Sequence, residues 1–168
     1  MRHNRILIIG SSGAGKSTLS KQLAIRSKLP VIHLDQLYWQ PGWQKTERDV
    51  FREKLLNKLQ KECWIIHGNF DSTLELRAQY ANLVIFLNYP TWISFSRAIK
   101  RTIIHRGKTR PDMTNGCPEK IDWEFAKWIW SYNVDVKPNI IKFLAILPID
   151  TMIINHPNQL KKVLQNIK

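Results

Sequence analysis

The chain has 168 residues, 43% of them apolar, enough to bury the core of one domain and too many for a disordered polymer. Its 26 Lys and Arg against 13 Asp and Glu give a formal charge of +13, which attracts polyanions, nucleotides and nucleic acids among them. No apolar run approaches the roughly 20 residues that a membrane helix needs, so no membrane role is expected.

RILII, Arg5 to Ile9, is a short β-branched run that reads as a buried parallel strand. MRHNRILIIG leads straight into it and into a loop with chemistry, so a cytoplasmic protein without a cleaved signal is expected. GSSGAGKST follows: Gly10, Ser11, Ser12, Gly13, Ala14, Gly15, Lys16, Ser17 and Thr18. Gly10 to Ser17 fits G-x-x-x-x-G-K-[ST], the phosphate loop. Glycines let the backbone curl until successive N–H groups face phosphate oxygens, and the helix that begins there adds its positive end. Lys16 then reaches the β- and γ-phosphates of ATP, and the Ser17 hydroxyl ligates Mg2+. Leu19, Leu23 and Ala24 give Gly15 to Ser27 a helical spacing.

Val31 to Leu34 is a second strand, and Asp35 stands at its end in HLDQLYW. A carboxylate at the C-terminal edge of a parallel sheet lies where such folds bind ligands. It fits a water-mediated magnesium site or a proton acceptor, and a turn residue is the bland alternative. Trp39 and Trp43 flank Pro41-Gly42 and read as an ordered aromatic flap, placed to stack on a base or to fill the core. Thr46 to Lys61 is a helix capped by Thr46. Trp64 to Ile66 is the third strand, and Cys63 beside it reads as a core thiol. Leu83 to Leu87 is the fourth strand, and Trp92 to Ile104 a helix with a basic side.

Arg97, Lys100, Arg101, His105, Arg106, Lys108 and Arg110 fall within fourteen residues without an acid between them. Phosphoryl transfer spreads negative charge over the moving group, and arginines that close on it stabilise that charge. The Pro- and Gly-containing segment from about 106 to 120 therefore reads as a lid, with a solvated helix face or a nucleic-acid grip as rivals. Cys117 lies there as an incidental free thiol, and a zinc-bearing lid lacks ligands. Ile121 to Tyr132, Pro138 to Leu147 and Asn158 to Ile167 are helices, and Thr151 to Ile154 is the fifth strand. Most of the seven tryptophans are expected in the core. Strands alternating with helices predict an α/β fold, a five-stranded parallel sheet covered by helices on both faces.

HLDQLYWQPGW, WIIHGNF and RGKTRPDMTNGCPEKIDWEFAKWIWSY resemble the bacterial topology modulation proteins, also called FlaR-related, which are adenylate-kinase-like P-loop proteins. The resemblance runs from Ile6 to about Pro138, and RPDM and GCPE are its more specific segments. It implies the three-layer P-loop NTPase fold of the nucleoside monophosphate kinase type over a single domain, 1–168, with an acceptor-side segment at about 35–62. It also implies roles: Arg97 and Arg101 on adenine and phosphates, Arg106 and Arg110 in the lid, Arg77 on an acceptor phosphate, and His156 in the adenine-side loop. Trp39 and Asn69 join Asp35 around the acceptor. The family name implies an effect on DNA.

The chain departs from such relatives at His67, Asn88 and Thr91, where they usually carry Asp, Asp and Arg. Mg2+ takes oxygen ligands and keeps several waters, so a protonated His67 would repel it. Two readings follow. One is a kinase that uses Lys16, Asp35, Arg101, Arg106 and Arg110 to move the γ-phosphoryl of ATP to a nucleoside monophosphate or similar small acceptor. The other is a nucleotide-dependent DNA-associated protein with weakened catalysis. The sequence says nothing of the oligomeric state.

Overall fold

The computed structural model describes residues 3–119 and 122–166. Five parallel strands form the main sheet: β1 (Arg5–Gly10), β2 (Val31–His33), β5 (Trp64–His67), β6 (Leu83–Leu87) and β7 (Asp150–Ile154). Their order is β2-β5-β1-β6-β7, so the strand that feeds the phosphate loop is central. Ile6 pairs with Ile65 on one side and Leu83 on the other. The two remaining strands, β3 (Trp39–Gln40) and β4 (Gln44–Lys45), make a separate antiparallel hairpin around the turn Pro41–Trp43.

Side chains alternate along β1, and both sets are buried. Ile6 and Ile8 face Leu19 and Leu23 of α1 (Lys16–Ser27) and Val163 of α8 (Leu160–Asn166). Leu7 and Ile9 face Leu55 and Leu59 of α3 (Arg48–Leu59), Leu74 of α4 (Leu74–Tyr80), Tyr132 of α6 (Trp123–Asp135) and Ile140 of α7 (Lys137–Ala145). That is the expected three-layer α/β sheet. Two shorter or separate helices complete it, α2 (Leu34–Tyr38) and α5 (Thr91–Ile104). Among the described residues no helix is long and apolar enough to cross a membrane.

Several local expectations shift. Asp35 does not end a strand. β2 stops at His33, and Asp35 lies in the first turn of α2. Thr46 does not cap α3, whose N-cap is Glu47; its hydroxyl instead donates to Leu37 O at 3.3 Å. Helix α6 is capped by the Asp122 carboxylate, which accepts from the Glu124 and Phe125 N–H groups. The expected starts and ends at Ile121 and Ile167 lie outside the described residues. Only Trp64 among the tryptophans is fully buried, while Trp92, Trp123 and Trp130 are more than half exposed. A helix's outer face can carry aromatics that periodicity alone assigns to the core. The thiols exchange roles: both are free, but Cys117 is the buried one and Cys63 only half-buried. Cys117 is enclosed because the segment that bears it is docked on the β3–β4 hairpin, where its Sγ lies 3.2 Å from Gln40 O.

Candidate active site

The phosphate loop leaves β1 at the centre of the sheet and turns into α1 through Gly15, which is left-handed (φ +97). Gly13 (φ +83) is required by a close approach: a Cβ there would sit 2.0 Å from Ser94 O of α5. The loop thus rests against the helix that carries Arg97 and Arg101. No side chain caps α1 at Gly15, so the first-turn N–H groups stay available for an anion. Lys16 Nζ donates to Gly10 O at 2.7 Å and Ser11 O at 2.9 Å, closing the cradle on itself. Burial pulls the Lys16 ammonium down to about 8, with Arg101 and Arg110 pulling the same way and Asp35 opposing.

Two carboxylates from the segment after α5 close over this loop. Ser17 Oγ donates to Asp112 Oδ2 at 2.7 Å. Arg110 Nη1 donates to both oxygens of Asp112, at 3.2 Å and 3.0 Å. Arg110 Nε forms an ion pair with Glu119 Oε1 at 2.5 Å, and Arg101 Nε reaches the same oxygen at 3.6 Å. Thr102 Oγ1 donates to the other Glu119 oxygen at 3.2 Å. Arg101 Nη1 and Nη2 each lie 3.5 Å from Ser12 Oγ. Burial alone would raise the Asp112 carboxyl, but the Arg110 guanidinium and the Ser17 hydroxyl outweigh it and hold it below its ordinary value.

The segment 111–118 is stitched to α2 and the hairpin. Gln36 Nε2 donates to Pro111 O, Thr114 Oγ1 to Trp39 O, Gly42 N to Gly116 O and Trp43 Nε1 to Pro118 O. Trp39 and Trp43 meet edge to face at 5.3 Å. The aromatic flap of the sequence is therefore clasped to the segment 111–118, and its indoles are partly buried.

At the sheet edge His67 is 2% exposed, and its Nε2 shares a hydrogen bond with His33 Nδ1 at 2.6 Å. Burial, then His33 and Lys16, pull His67 down to about 3, and burial pulls His33 down as well. His67 is neutral at pH 7, so it does not repel a cation there. Asp35 lies within electrostatic reach of Lys16, Arg110, Asp112 and Arg101, and burial pushes its carboxyl up.

Of the residues singled out in sequence, Lys16, Ser17, Asp35, Arg101 and Arg110 come together. Arg106 is exposed, and its backbone bridges Glu119. Arg97 is exposed too, with its guanidinium 5.9 Å from the Tyr89 ring. His156 is exposed beyond β7, where its Nδ1 accepts from Asn158 N. Asn88 Nδ2 donates to Asn155 Oδ1 at 2.6 Å and ties β6 to β7. Asn69 Oδ1 is enclosed without a partner.

Arg77, expected on an acceptor phosphate, is instead completely buried. Its guanidinium donates to Thr73 O, Gly68 O, Asn69 O and Phe70 O. Those carbonyls belong to the turn after β5, where Phe70 is held left-handed (φ +37) and packs on Tyr38 and Phe51. Three participants escaped the sequence reading: His33, Asp112 and Glu119. Asp112 and Glu119 lie in the RPDM and GCPE segments, and an acid two residues past a lid arginine was the available signal. Among the described residues no group of three or more His, Cys, Asp and Glu forms a metal cluster.

No protein-family model matches the chain. YqaC, an uncharacterized protein of Bacillus subtilis, is 36% identical over 132 residues, 76% of this chain and 72% of that one. The chain belongs to the YqaC family. A Francisella philomiragia shikimate kinase is 38% identical over 73 residues, 34% of this chain and 42% of that one. Among solved structures, Acinetobacter baumannii shikimate kinase in complex with shikimate covers 98% of this YqaC relative and 90% of its own chain (TM-score 0.59, 13% identity). M. mycoides deoxyadenosine kinase with dATP covers 96% and 97% (TM-score 0.55, 14% identity). The fold is that of the P-loop kinases.

Proposed function

We propose that this YqaC-family protein is a P-loop kinase that transfers the γ-phosphoryl of ATP to a small acceptor. The observation that carries the proposal is the convergence of Lys16, Arg101 and Arg110 on one uncapped phosphate loop under a docked lid. Backbone N–H groups from Gly10 to Thr18 would hold the phosphates, and Lys16 would exchange its loop carbonyls for phosphate oxygens. Arg101 and Arg110 would do the same with Glu119, meeting the charge that spreads in the transition state. Mg2+ fits the donor set: Ser17 and Asp35 offer the hard oxygens it takes, and the neutral His67 leaves room for it. When bound, the ion neutralises charge between the β- and γ-phosphates.

Asp35 and Asn69 are the polar groups on the acceptor side, with Trp39 beside them. Asp35, whose carboxyl burial has made more basic, suits an acceptor hydroxyl whose proton it takes. Arg77 is committed to four carbonyls, which weakens the case for a nucleoside monophosphate and favours a hydroxylated acceptor. The shikimate and deoxyadenosine named with the structural neighbours are of that kind.

The test is ATP consumption with magnesium over a panel of hydroxylated acids, nucleosides and nucleoside monophosphates. Acceptor-dependent turnover should fall about 10²–10³-fold or more in Lys16→Ala. Turnover unchanged in that variant would sink the proposal. ATP binding without turnover, with DNA affinity that is steep in salt and altered by ATP, would favour the DNA-associated role that the topology-modulation resemblance implies.

A further inference from the structure

The sheet edge beside the phosphate loop offers two imidazoles where a carboxylate would serve a divalent cation. His33 and His67 hydrogen-bond to each other there. The carboxylate nearest the Ser17 hydroxyl comes from elsewhere in the chain. Asp112 Oδ2 is 2.7 Å from Ser17 Oγ, 95 residues away in sequence. We infer that Asp112 is a second carboxylate of the divalent-cation site, carried on the lid and joining Asp35 of the body. The inference rests on the kinase reading above.

Spacing supports it first. Adjacent ligands of an octahedral ion with bonds of 2.0–2.1 Å lie about 2.9 Å apart. Ser17 Oγ and Asp112 Oδ2 already stand close to that separation, so both can face one ion after a small adjustment. Orientation supports it next. Arg110 Nη1 holds both Asp112 oxygens, and Asp112 is only 6% exposed, so the carboxylate is fixed and needs little further ordering. Arg110 also offsets the added negative charge beside the phosphates. The consequence is a cation site completed by lid closure. With the lid raised, only Ser17 and Asp35 remain on the body of the protein. The ion and the closed lid should therefore stabilise each other, as linkage requires.

Mn2+ is the probe, since it accepts the same oxygen ligands and its binding is read directly by electron paramagnetic resonance. In complex with a non-hydrolysable ATP analogue, Asp112→Asn should weaken Mn2+ about tenfold or more. The analogue is kept saturating, so a change in its own affinity from the lost Ser17 and Arg110 contacts does not enter the Mn2+ reading. An unchanged Mn2+ affinity would overturn the inference alone. A raised affinity would overturn it too, showing that Asp112 stands in the ion's place and must leave. A wild-type protein that binds no analogue would overturn both this inference and the kinase reading. The wild type gives a second measurement that does not depend on the variant folding. Mn2+ added to the analogue complex should slow tryptic cleavage at the exposed Arg106 and Lys108 beyond the analogue's own effect. No added protection would also defeat the inference.

Discussion

Arg77 and Arg110 carry the same guanidinium into neighbouring parts of the molecule and do opposite things. Arg77 is sealed under the turn after β5, and its donors go to four backbone carbonyls. Arg110 lies at the lid, with its donors on the carboxylates of Asp112 and Glu119. A fully buried guanidinium that leaves backbone carbonyls finds no water to replace them, so the first set is permanent. The Glu119 carboxylate beside a phosphate loop is an anionic stand-in that a phosphate can replace, so that contact is exchangeable. What a guanidinium binds, more than its place in a motif, separates a structural arginine from a working one.

The sharpest way to break this comparison is to remove each arginine. Arg77→Met removes the guanidinium donors from the Gly68, Asn69, Phe70 and Thr73 carbonyls of a buried turn, and of these Phe70 O keeps Thr73 N and Oγ1. The cost should be about 3–5 kcal/mol, or a fall in Tm of roughly 10 °C for a chain of this size. Thermal unfolding followed by circular dichroism reads it. A stable variant with only a raised acceptor KM would restore the acceptor-contact role and dissolve the contrast. Arg110→Ala should do the reverse. Its turnover should fall about 10²-fold or more at saturating ATP, with a smaller fall in Tm than in Arg77→Met, because Asp112 keeps the Ser17 hydroxyl and Glu119 keeps Thr102 and Arg101. Equal losses of Tm in the two variants would mean that Arg110, too, is mainly a brace.

The same contrast explains what could be read in the sequence. The loop Gly10 to Thr18 and the helix after it form one contiguous motif, so residue types and spacing suffice. The parallel sheet was equally legible, because strands buried on both faces are short apolar runs. The clasp was not. Ser17 meets Asp112 across 95 residues, and Trp43 meets Pro118 across 75. No local period announces such pairs. Arg77 was misread for a related reason: its partners are main-chain carbonyls, which carry no residue signature at all. Asp35 is borne by a short helix one turn past β2, where a strand end was expected, and β5 stands between β2 and the strand that feeds the loop.

The smallest effect tests whether His67 belongs with the permanent or the exchangeable groups. In the unfolded chain a histidine takes up a proton near pH 6.5. In the folded chain His67 does so only near 3, because it is buried beside His33 and Lys16. Between those values the unfolded state binds the extra proton, so stability must fall as pH falls. For one group the slope is at most about 1.4 kcal/mol per pH unit. His33, also lowered by burial, adds in the same direction, whereas Asp35, raised by burial, opposes it. Comparison with His67→Gln cancels those neighbours to first order, since an amide keeps a partner for His33 and does not titrate. Urea unfolding between about pH 6.5 and pH 4.5 should then show a shallower loss of stability in the variant than in the wild type. Parallel slopes would mean that His67 is protonated in the folded protein too. A cation at that edge would repel a divalent ion, and the carboxylate on the lid would have one more charge to offset.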